Sequence, residues 1–256
     1  MKVLHTADLH LRRDDGERWQ ALQSLLELCV SESVGLFVIS GDLIDRGIEL
    51  HDLKPHLRAL LADFPVPTVI IPGNHDVGAL RAGDYLGSRV TVLVETGAFV
   101  DVGNVRVLGL PFEAIGGEAL LQRLREVAAR RRDDACNVLL YHGELLDVSY
   151  QREDFGDEHG ANYMPTRLNY FDDLGFDYVL AGHFHTTFDI EKYAGGYFVY
   201  PGSPVSVTRK EVGARSVNLF ETGRAPTART VDTVCYERVN VTLSAFESAD
   251  PVAVDI

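Results

Sequence analysis

The stretch that decides the fold is "TVIIPGNHD", residues 68–76, in which an apolar strand pattern stops at a turn and polar side chains follow. The β-branched run at residues 68–71 favours a strand, and Pro72 and Gly73 end it. We therefore expect Asn74, His75 and Asp76 on a loop at the carboxyl end of this strand. Turns alone are rich in Asn and Asp, so the interpretation depends on whether other strands end in the same way.

Four further predicted strands also end in polar clusters. These clusters are "ADLH" (residues 7–10), "SGDLIDRG" (40–47), "YHGE" (141–144) and "AGHFH" (181–185). Because ligands bind at the carboxyl ends of strands in open α/β sheets, we expect the clusters to meet in one place. The pattern predicts a site built from Asp8, His10, Asp42, Asn74, His142, His183 and His185.

The predicted donor set suits two divalent metal ions. Carboxylate and amide oxygens mixed with imidazoles favour ions of moderate hardness, with Mn expected first and Fe, Zn, Co or Mg as alternatives. Two ions about 3.5–4 Å apart need a shared anion, and Asp42 is the expected bridge. Each motif alone also fits an ordinary turn, but their common position at strand ends indicates a metal site.

The order of apolar patterns predicts an α/β fold. Strand patterns at residues 3–7, 36–40 and 68–71 alternate with helical patterns at 17–34 and 50–64, which predicts a mostly parallel layer covered by helices. One more helix is expected at about 117–132 and a strand at 136–142. Strand and turn signals from about residue 177, ending in "ERVNVTL" (237–243), predict a second sheet packed on the first.

Composition limits the classes of function. A formal charge of -14 and a pI near 5.0 exclude a protein whose whole surface binds nucleic acid. The arginine-rich segment 123–133 is interpreted as the solvated face of an amphipathic helix. No apolar stretch approaches the length of a membrane span, and Cys29, Cys136 and Cys235 suit buried reduced thiols. We expect a cytoplasmic protein without membrane association.

A long polar segment, residues 145–165, follows the candidate ligand His142. Loops of this length are often functional. Its aromatic residues Tyr150, Phe155 and Tyr163 either offer a surface on which a base stacks or anchor the loop to the core. The last dozen residues are expected to form a loosely held tail.

The order D-x-H, G-D-x-x-D-R, G-N-H-D, H and G-H-x-H resembles the calcineurin-like metallophosphoesterase superfamily over about residues 1–210. Within it, "VLHTADLHL", "GDLIDRG" and "YPGSPVSV" are most similar to SbcD-type DNA repair exonucleases. The resemblance implies an α/β fold with a two-sheet β sandwich flanked by helices. It also implies a metallophosphoesterase domain at 1–220, with C-terminal strands and a tail at 221–256 that complete it or are appended to it.

The resemblance implies two ion sites that share a carboxylate. One ion would be held by Asp8, His10, Asp42 and His185, and the other by Asp42, Asn74, His142 and His183. The expected reaction is hydrolysis of a phosphate ester. In this reaction His75 would protonate the leaving oxygen while Asp76 fixes the tautomer of its ring, and Arg46 either faces the substrate phosphate or pairs with Asp45.

Three functions compete at this stage. The first is a phosphodiesterase, nuclease-like on single-stranded DNA or oligonucleotides. The second is a phosphomonoesterase acting on small molecules or phosphoproteins, favoured by the acidic composition and Arg46. The third is a metal-free scaffold protein on the same fold, which is disfavoured because every ligand position is filled. An ATPase partner and a homodimer are both compatible with the resemblance.

Overall fold

The computed structural model describes residues 1–147 and 163–242, which form twelve strands and three α-helices. The helices are α1 (Gly16–Ser31), α2 (Leu50–Leu61) and α3 (Gly117–Ala128). In chain order the strands are β1 (Lys2–Thr6), β2 (Leu36–Ser40), β3 (Thr68–Ile71), β4 (Val90–Val92), β5 (Phe99–Val102), β6 (Val105–Leu110), β7 (Cys136–His142), β8 (Tyr178–Gly182), β9 (Asp189–Tyr193), β10 (Gly196–Tyr200), β11 (Ser216–Glu221) and β12 (Ala228–Thr230).

The first sheet has the strand order β12-β11-β1-β2-β3-β4. Strands β1 to β4 are parallel to one another, while β11 and β12 pair antiparallel at one side. Helices α1 and α2 connect β1 to β2 and β2 to β3, and their apolar residues, such as Leu22, Leu25 and Leu57, are buried against this sheet. The predicted parallel layer covered by helices is confirmed.

The second sheet has the order β5-β6-β7-β8-β10-β9 and packs face to face on the first. Apolar residues from both sheets form one core layer between them, including Val38 and Ile71 from the first and Leu140 and Leu180 from the second. Helix α3 covers the outer face of the second sheet. The fold is therefore a two-sheet β sandwich flanked by helices, as the resemblance implied.

The carboxyl-terminal part differs from the sequence expectation. No described residue of "ERVNVTL" belongs to a strand; the preceding Tyr236 forms an isolated bridge with Val212. Val239 and Val241 alternate as strand residues would, but both are exposed because no sheet edge is paired with them. The sheet instead ends at β12, whose short exposed sequence carries no apolar signal.

Two of the sequence expectations concern residues that lie largely outside the described part of the chain. The final dozen residues and most of the 145–165 segment, with Tyr150 and Phe155, lie outside the described residues.

All three cysteines are free thiols, but only Cys29 is buried, whereas Cys136 and Cys235 are half-buried. Among the described residues no helix is both long enough and apolar enough to cross a membrane.

Candidate metal centre

The loops after β1 and β2 are joined to each other by backbone hydrogen bonds. The amide of Asp8 donates to the carbonyl of Gly41 over 3.1 Å, and the amide of His10 donates to that of Asp42 over 2.9 Å. This pairing continues the parallel register of the two strands beyond their ends. It therefore brings the D-x-H and G-D motifs to one edge of the sheet.

Several candidate ligands have backbones in the left-handed region. The φ angles are 56° at Asp8, 46° at His10, 51° at Asp42 and 93° at His183. Side-chain-bearing residues adopt such angles rarely and at an energetic cost, and these conformations concentrate at functional sites. The loops thus place these side chains at the expense of local stability.

Two glycines make room for the site. A Cβ atom on Gly73 would overlap the carboxylate of Asp42, and one on Gly41 would overlap the ring of His142. Gly41 also has a φ of 94°, which a residue with a side chain would adopt only with strain. Glycine at both positions lets the strand ends approach the buried polar side chains.

Asp8, His10 and His185 form one cluster of potential ligand atoms, all within 4.8 Å of one another. The Nε2 atoms of His10 and His185 are 3.3 Å apart, and His185 Nε2 lies 3.5 Å from Asp8 Oδ1. Two imidazole nitrogens that bind one ion at about 2.1 Å are separated by roughly 3.0–3.4 Å. This cluster therefore fits a divalent ion.

Asp8, Asp42 and His142 form a second cluster within 4.8 Å. Oδ2 of Asp42 lies 3.3 Å from Nε2 of His142 and 3.7 Å from Nε2 of His10. This buried oxygen accepts no hydrogen bond of good geometry from the described residues. A buried anionic oxygen needs a positive partner, which here is either a protonated imidazole or a metal ion held with it, and the bridging role of Asp42 stays a prediction. Asp8 also belongs to both clusters.

Asn74 and His183 complete the convergence of the predicted ligands. Oδ1 of Asn74 is 3.0 Å from Nε2 of His142. The ring of His183 lies 5.4 Å from that of His142, and its backbone amide donates to both carboxylate oxygens of Asp8 over 3.1 Å. The structure thus brings all the predicted ligands together, while their division between two ions stays a prediction.

Burial and close charge pairs shift the titration of these side chains. Burial opposes charge on Asp42, but the imidazole of His142 outweighs it and holds the pKa of Asp42 below its usual range. Burial also opposes charge on His142, yet Asp42 raises the pKa of His142 to about 10. For His185, Asp8 outweighs burial and raises the pKa well above its usual value. Protons therefore compete with metal ions for these nitrogens.

Glu211 contacts the candidate ligand His185 and was not predicted from the sequence. Its buried carboxylate has Oε1 at 3.3 Å from Nδ1 of His185 and accepts a hydrogen bond from Ser203 Oγ over 2.8 Å. A carboxylate on the second ring nitrogen fixes the orientation and tautomer of a metal-binding histidine. The sequence carries no signal for this role, since a lone Glu in the polar stretch "TRKEVG" looks like an exposed loop residue.

Asp45 lies near the Nδ1 atom of His10, as Glu211 lies near the Nδ1 atom of His185. Its Oδ1 lies 3.6 Å from His10 Nδ1 and accepts from Arg12 Nη2 over 2.9 Å. The buried Arg18 lies 3.4 Å from the same carboxylate and also donates to the backbone carbonyl of His10. Arg18 is a second residue that sequence analysis did not single out, because its contacts with Asp45 and His10 form only in the folded chain.

His75 forms a third group of potential ligand atoms with His10 and Asp45, all within 4.8 Å of one another, at the edge of the predicted ligand set. Its ring is 4.7 Å from that of His10, and its backbone amide donates to Oδ1 of Asp42 over 2.9 Å. Nδ1 of His75 is 2.7 Å from the backbone carbonyl oxygen of Asp45. A carbonyl only accepts, so this contact requires the proton on Nδ1.

The predicted contact between Asp76 and the His75 ring is corrected by this geometry. Oδ1 of Asp76 accepts from the amide of Gly73 over 2.6 Å, and Oδ2 accepts from the amide of Leu43 over 2.8 Å. Burial, with a contribution from Asp42, raises the pKa of Asp76 to about 7. Asp76 therefore ties the third loop to the second, and the Asp45 carbonyl orients His75.

Arg46 adopts the ion-pair arrangement. Its Nε lies 3.7 Å from Asp45 and 3.6 Å from Glu49, and its side chain is 65% exposed. Arg46 lines a cavity with Arg12 and Arg13 on the outer side of this loop. The described geometry thus gives no contact between Arg46 and the metal-ligand cluster.

Two cavities meet at His75. The first, of about 590 Å³, is lined by His10, Arg12, Asp45, His75, His185, Val207, Thr208, Arg209, Lys210 and Tyr236. The second, of about 630 Å³, is lined by Gly47, Ile48, Leu50, His51, Lys54, His75, Val77, Gly78, Ala79, Arg81 and Asp84. His75 therefore lines both cavities.

Comparison with known proteins identifies the family. The sequence matches the calcineurin-like phosphoesterase family over residues 1–187, and the chain belongs to this family. This match contains all the predicted metal ligands and His75, whereas Glu211 lies beyond it.

One curated relative is the SbcD component of the nuclease SbcCD from Staphylococcus epidermidis, which is 25% identical over 247 residues. The match covers 82% of this chain and 64% of the relative, so the chain spans just under two thirds of the length of that protein. This similarity supports the SbcD-type resemblance within the family.

Solved structures share the fold at low identity. The protein TT1561 of Thermus thermophilus has a TM-score of 0.54 at 15% identity, covering 84% of this chain and 92% of its own. A dimetal phosphatase from Danio rerio has a TM-score of 0.55 at 12% identity, covering 86% and 91%. At these identities the comparisons establish the architecture.

Proposed function

We propose that the chain is a metal-dependent phosphodiesterase, nuclease-like on single-stranded DNA, oligonucleotide ends or small diesters. The observation that carries the choice of a diester is the pair of cavities that meet at His75. A phosphodiester has a substituent on each side of the phosphorus, and these cavities give space to both. The nuclease relative supports the same substrate class.

The proposed cofactor is a pair of divalent ions, Mn first, with Fe, Zn, Co or Mg as alternatives. Asp8, His10, Asp42 and His185 would hold one ion, and Asp42, Asn74, His142 and His183 the other, with Asp42 shared. When bound, such ions neutralise charge on the phosphoryl group and lower the pKa of the attacking water. The position of the buried Oδ2 of Asp42, 3.3 Å from Nε2 of His142 and 3.7 Å from Nε2 of His10, supports this assignment.

His75 is the proposed general acid. Its Nδ1 proton is engaged with the Asp45 carbonyl, which leaves Nε2 as the ring nitrogen that can carry a second proton to the leaving oxygen. Arg46, in contrast, has a structural role in our proposal, and this weakens the phosphomonoesterase alternative.

Charge distribution favours a flexible strand over a long duplex. The net charge of -14 repels a polyanion in general, but Arg12, Arg209 and Lys210 line one cavity, and Lys54 and Arg81 line the other. Arg12 is paired with Asp45 over 2.9 Å and Lys54 with Asp84 over 2.7 Å, so part of this positive charge is neutralised, and the remainder would attract phosphates that flank His75. We expect binding that weakens as salt increases.

The test uses protein reconstituted with Mn. Activity on bis(p-nitrophenyl) phosphate is compared with activity on p-nitrophenyl phosphate, and labelled single-stranded DNA competes with blunt duplex of the same length. Our proposal expects diester over monoester and single strand over duplex. Preference for the monoester would establish the phosphatase alternative, and a protein that binds no metal would establish the scaffold alternative.

We further propose that the chain works with a partner or as a homodimer. The curated relative is one subunit of a nuclease, which supports a partner for this chain, and an ATPase is the partner that we propose from the resemblance. Light scattering on the purified chain distinguishes a homodimer from a monomer. Preference for duplex DNA that arises only after addition of an ATPase partner would support the complex.

A further inference from the structure

The first cavity has an aromatic residue fixed at its mouth. Tyr236 lines this cavity, and its side chain is 42% exposed. Its backbone is held from both sides: its carbonyl accepts from the amide of Gly213 over 2.8 Å, and its amide donates to Ser206 Oγ over 3.3 Å. The ring is therefore presented on an anchored segment although it is not packed in the core.

The loop that carries Arg209 is also rigidly held. Glu211 accepts from the amide of Val207 over 2.8 Å and from the amide of Thr208 over 3.1 Å, while Ser206 Oγ donates to the Glu211 carbonyl over 2.7 Å. The same carboxylate contacts the ligand His185. Arg209 thus projects from a loop whose position is fixed relative to the metal ligands, and its own side chain is exposed.

Building on the proposed phosphodiesterase function, we propose that Tyr236 and Arg209 form a nucleoside subsite. The base of the nucleotide next to the reacting phosphate stacks on the Tyr236 ring, and the Arg209 guanidinium contacts the neighbouring phosphate. An exposed aromatic ring beside a cation is the combination that single-strand binding surfaces use, and it tolerates any base. The substrate class is a phosphodiester that carries a nucleoside.

The lining of the second cavity indicates which of the two cavities receives the nucleoside. No Phe, Tyr or Trp is among the described residues that line the cavity with His51, Lys54 and Arg81. Among the described residues, a tyrosine, phenylalanine or tryptophan therefore lines only the first of the two cavities at His75. In this proposal one substituent of the phosphate is recognised as a nucleoside in the first cavity, and the other lies in the second cavity.

The first experiment compares two chromogenic diesters with the same leaving group. Thymidine 5′-p-nitrophenyl phosphate carries a nucleoside, whereas methyl p-nitrophenyl phosphate does not. Tyr236→Ala is expected to lower kcat/KM about 5- to 100-fold for the thymidine ester, the usual worth of one stacked base, and to leave the methyl ester unchanged. Tyr236→Phe should retain the wild-type rate on both. Tyr85→Ala, at an exposed tyrosine outside both cavities, is the matched control.

The second experiment measures binding without turnover. A fluorescent phosphorothioate oligothymidylate is titrated at several salt concentrations. Arg209→Gln should reduce the slope of log affinity against log salt by about 0.7, the value of one phosphate contact on a single strand. Arg130→Gln, at an exposed arginine just after α3, is the matched control.

Each outcome decides the proposal. Equal loss on both diesters after Tyr236→Ala would show a structural role and overturn the subsite, as would no loss on either. If the wild type hydrolyses neither diester, the phosphodiesterase function fails. The oligothymidylate titration then tests the subsite on its own, and affinities unchanged in Tyr236→Ala and Arg209→Gln would overturn it.

Discussion

Replacing Glu211 with Gln should weaken both the fold and one metal site. The carboxylate is buried and accepts hydrogen bonds on both oxygens: Oε2 from Ser203 Oγ and the Val207 amide, and Oε1 from the Thr208 amide and hydroxyl, with His185 Nδ1 at 3.3 Å. A Gln side chain must turn its NH₂ group toward one of these sets of donors. The hydroxyls can rotate to accept, but an amide N–H cannot.

The cost follows from the bonds that cannot be remade. At least one backbone amide loses a charged acceptor, at about 1.5–3 kcal/mol per bond, and the remaining bonds lose their charge assistance. We therefore expect the free energy of unfolding to fall by about 2–4 kcal/mol. Loss of the anionic partner of His185 should weaken the ion held with Asp8 and His10 by about 10- to 100-fold.

Two measurements test this prediction. Urea unfolding of chelator-treated protein gives the change in stability, and calorimetric titration with Mn gives the affinity of each ion. Glu32→Gln is the control, because Glu32 pairs with Lys2 at 3.1 Å near the surface and such pairs contribute little. If Glu211→Gln matched the Glu32 variant in both measurements, the support of His185 by Glu211 would be refuted.

The other predictions concern the ions, the general acid and one buried base. Asp42→Asn should reduce binding of both ions and His10→Gly of mainly one, as metal analysis after reconstitution with Mn would show; equal loss of a single ion would contradict the bridging role. His75→Gln should keep two ions per chain but lose about 10²–10⁴-fold in rate, and less on p-nitrophenyl esters, because a good leaving group needs little protonation; loss of metal instead would make His75 a ligand. Burial lowers the pKa of His5 to about 3, so acidification below its unfolded value of 6.5 favours the unfolded chain. From pH 8 to pH 5.5 the wild type should lose about 1.4 kcal/mol more than His5→Gln in denaturant unfolding, and parallel pH profiles would contradict this.

The ligand positions could be predicted because each depends on a short local pattern. An apolar strand that stops at polar residues locates Asp42 or Asn74 without knowledge of its neighbours, and parallel strands then bring such ends together. The alternation of the first three strands with two helices followed from the same periodicity. Local patterns were therefore sufficient for the parallel layer and for the convergence of the predicted ligands, whereas β11 and β12 joined the first sheet without having been predicted there.

Other features depend on partners that no local pattern reveals. Glu211 meets His185 only after the second sheet is assembled, so its role is tertiary. The alternation at Val239 and Val241 suggested a strand, but a strand also needs a free sheet edge, and both side chains are exposed instead. Asp76 was assigned to His75 because the two are adjacent in sequence, whereas its oxygens reach backbone amides across the loop.

The left-handed backbone at the ligand positions also determines which substitutions are informative. Asp42 has a φ of 51°, a conformation that Asn tolerates better than Ala, so Asp42→Asn removes the charge without adding backbone strain. At His10, with a φ of 46°, Gly removes the ligand and accepts the conformation, whereas Ala would add about 1–2 kcal/mol of strain. Metal loss in these two variants can therefore be attributed to the missing ligand atoms. An alanine scan of the same positions would mix ligand loss with collapse of the hydrogen-bonded loops that hold Asp8 and His10 against Gly41 and Asp42.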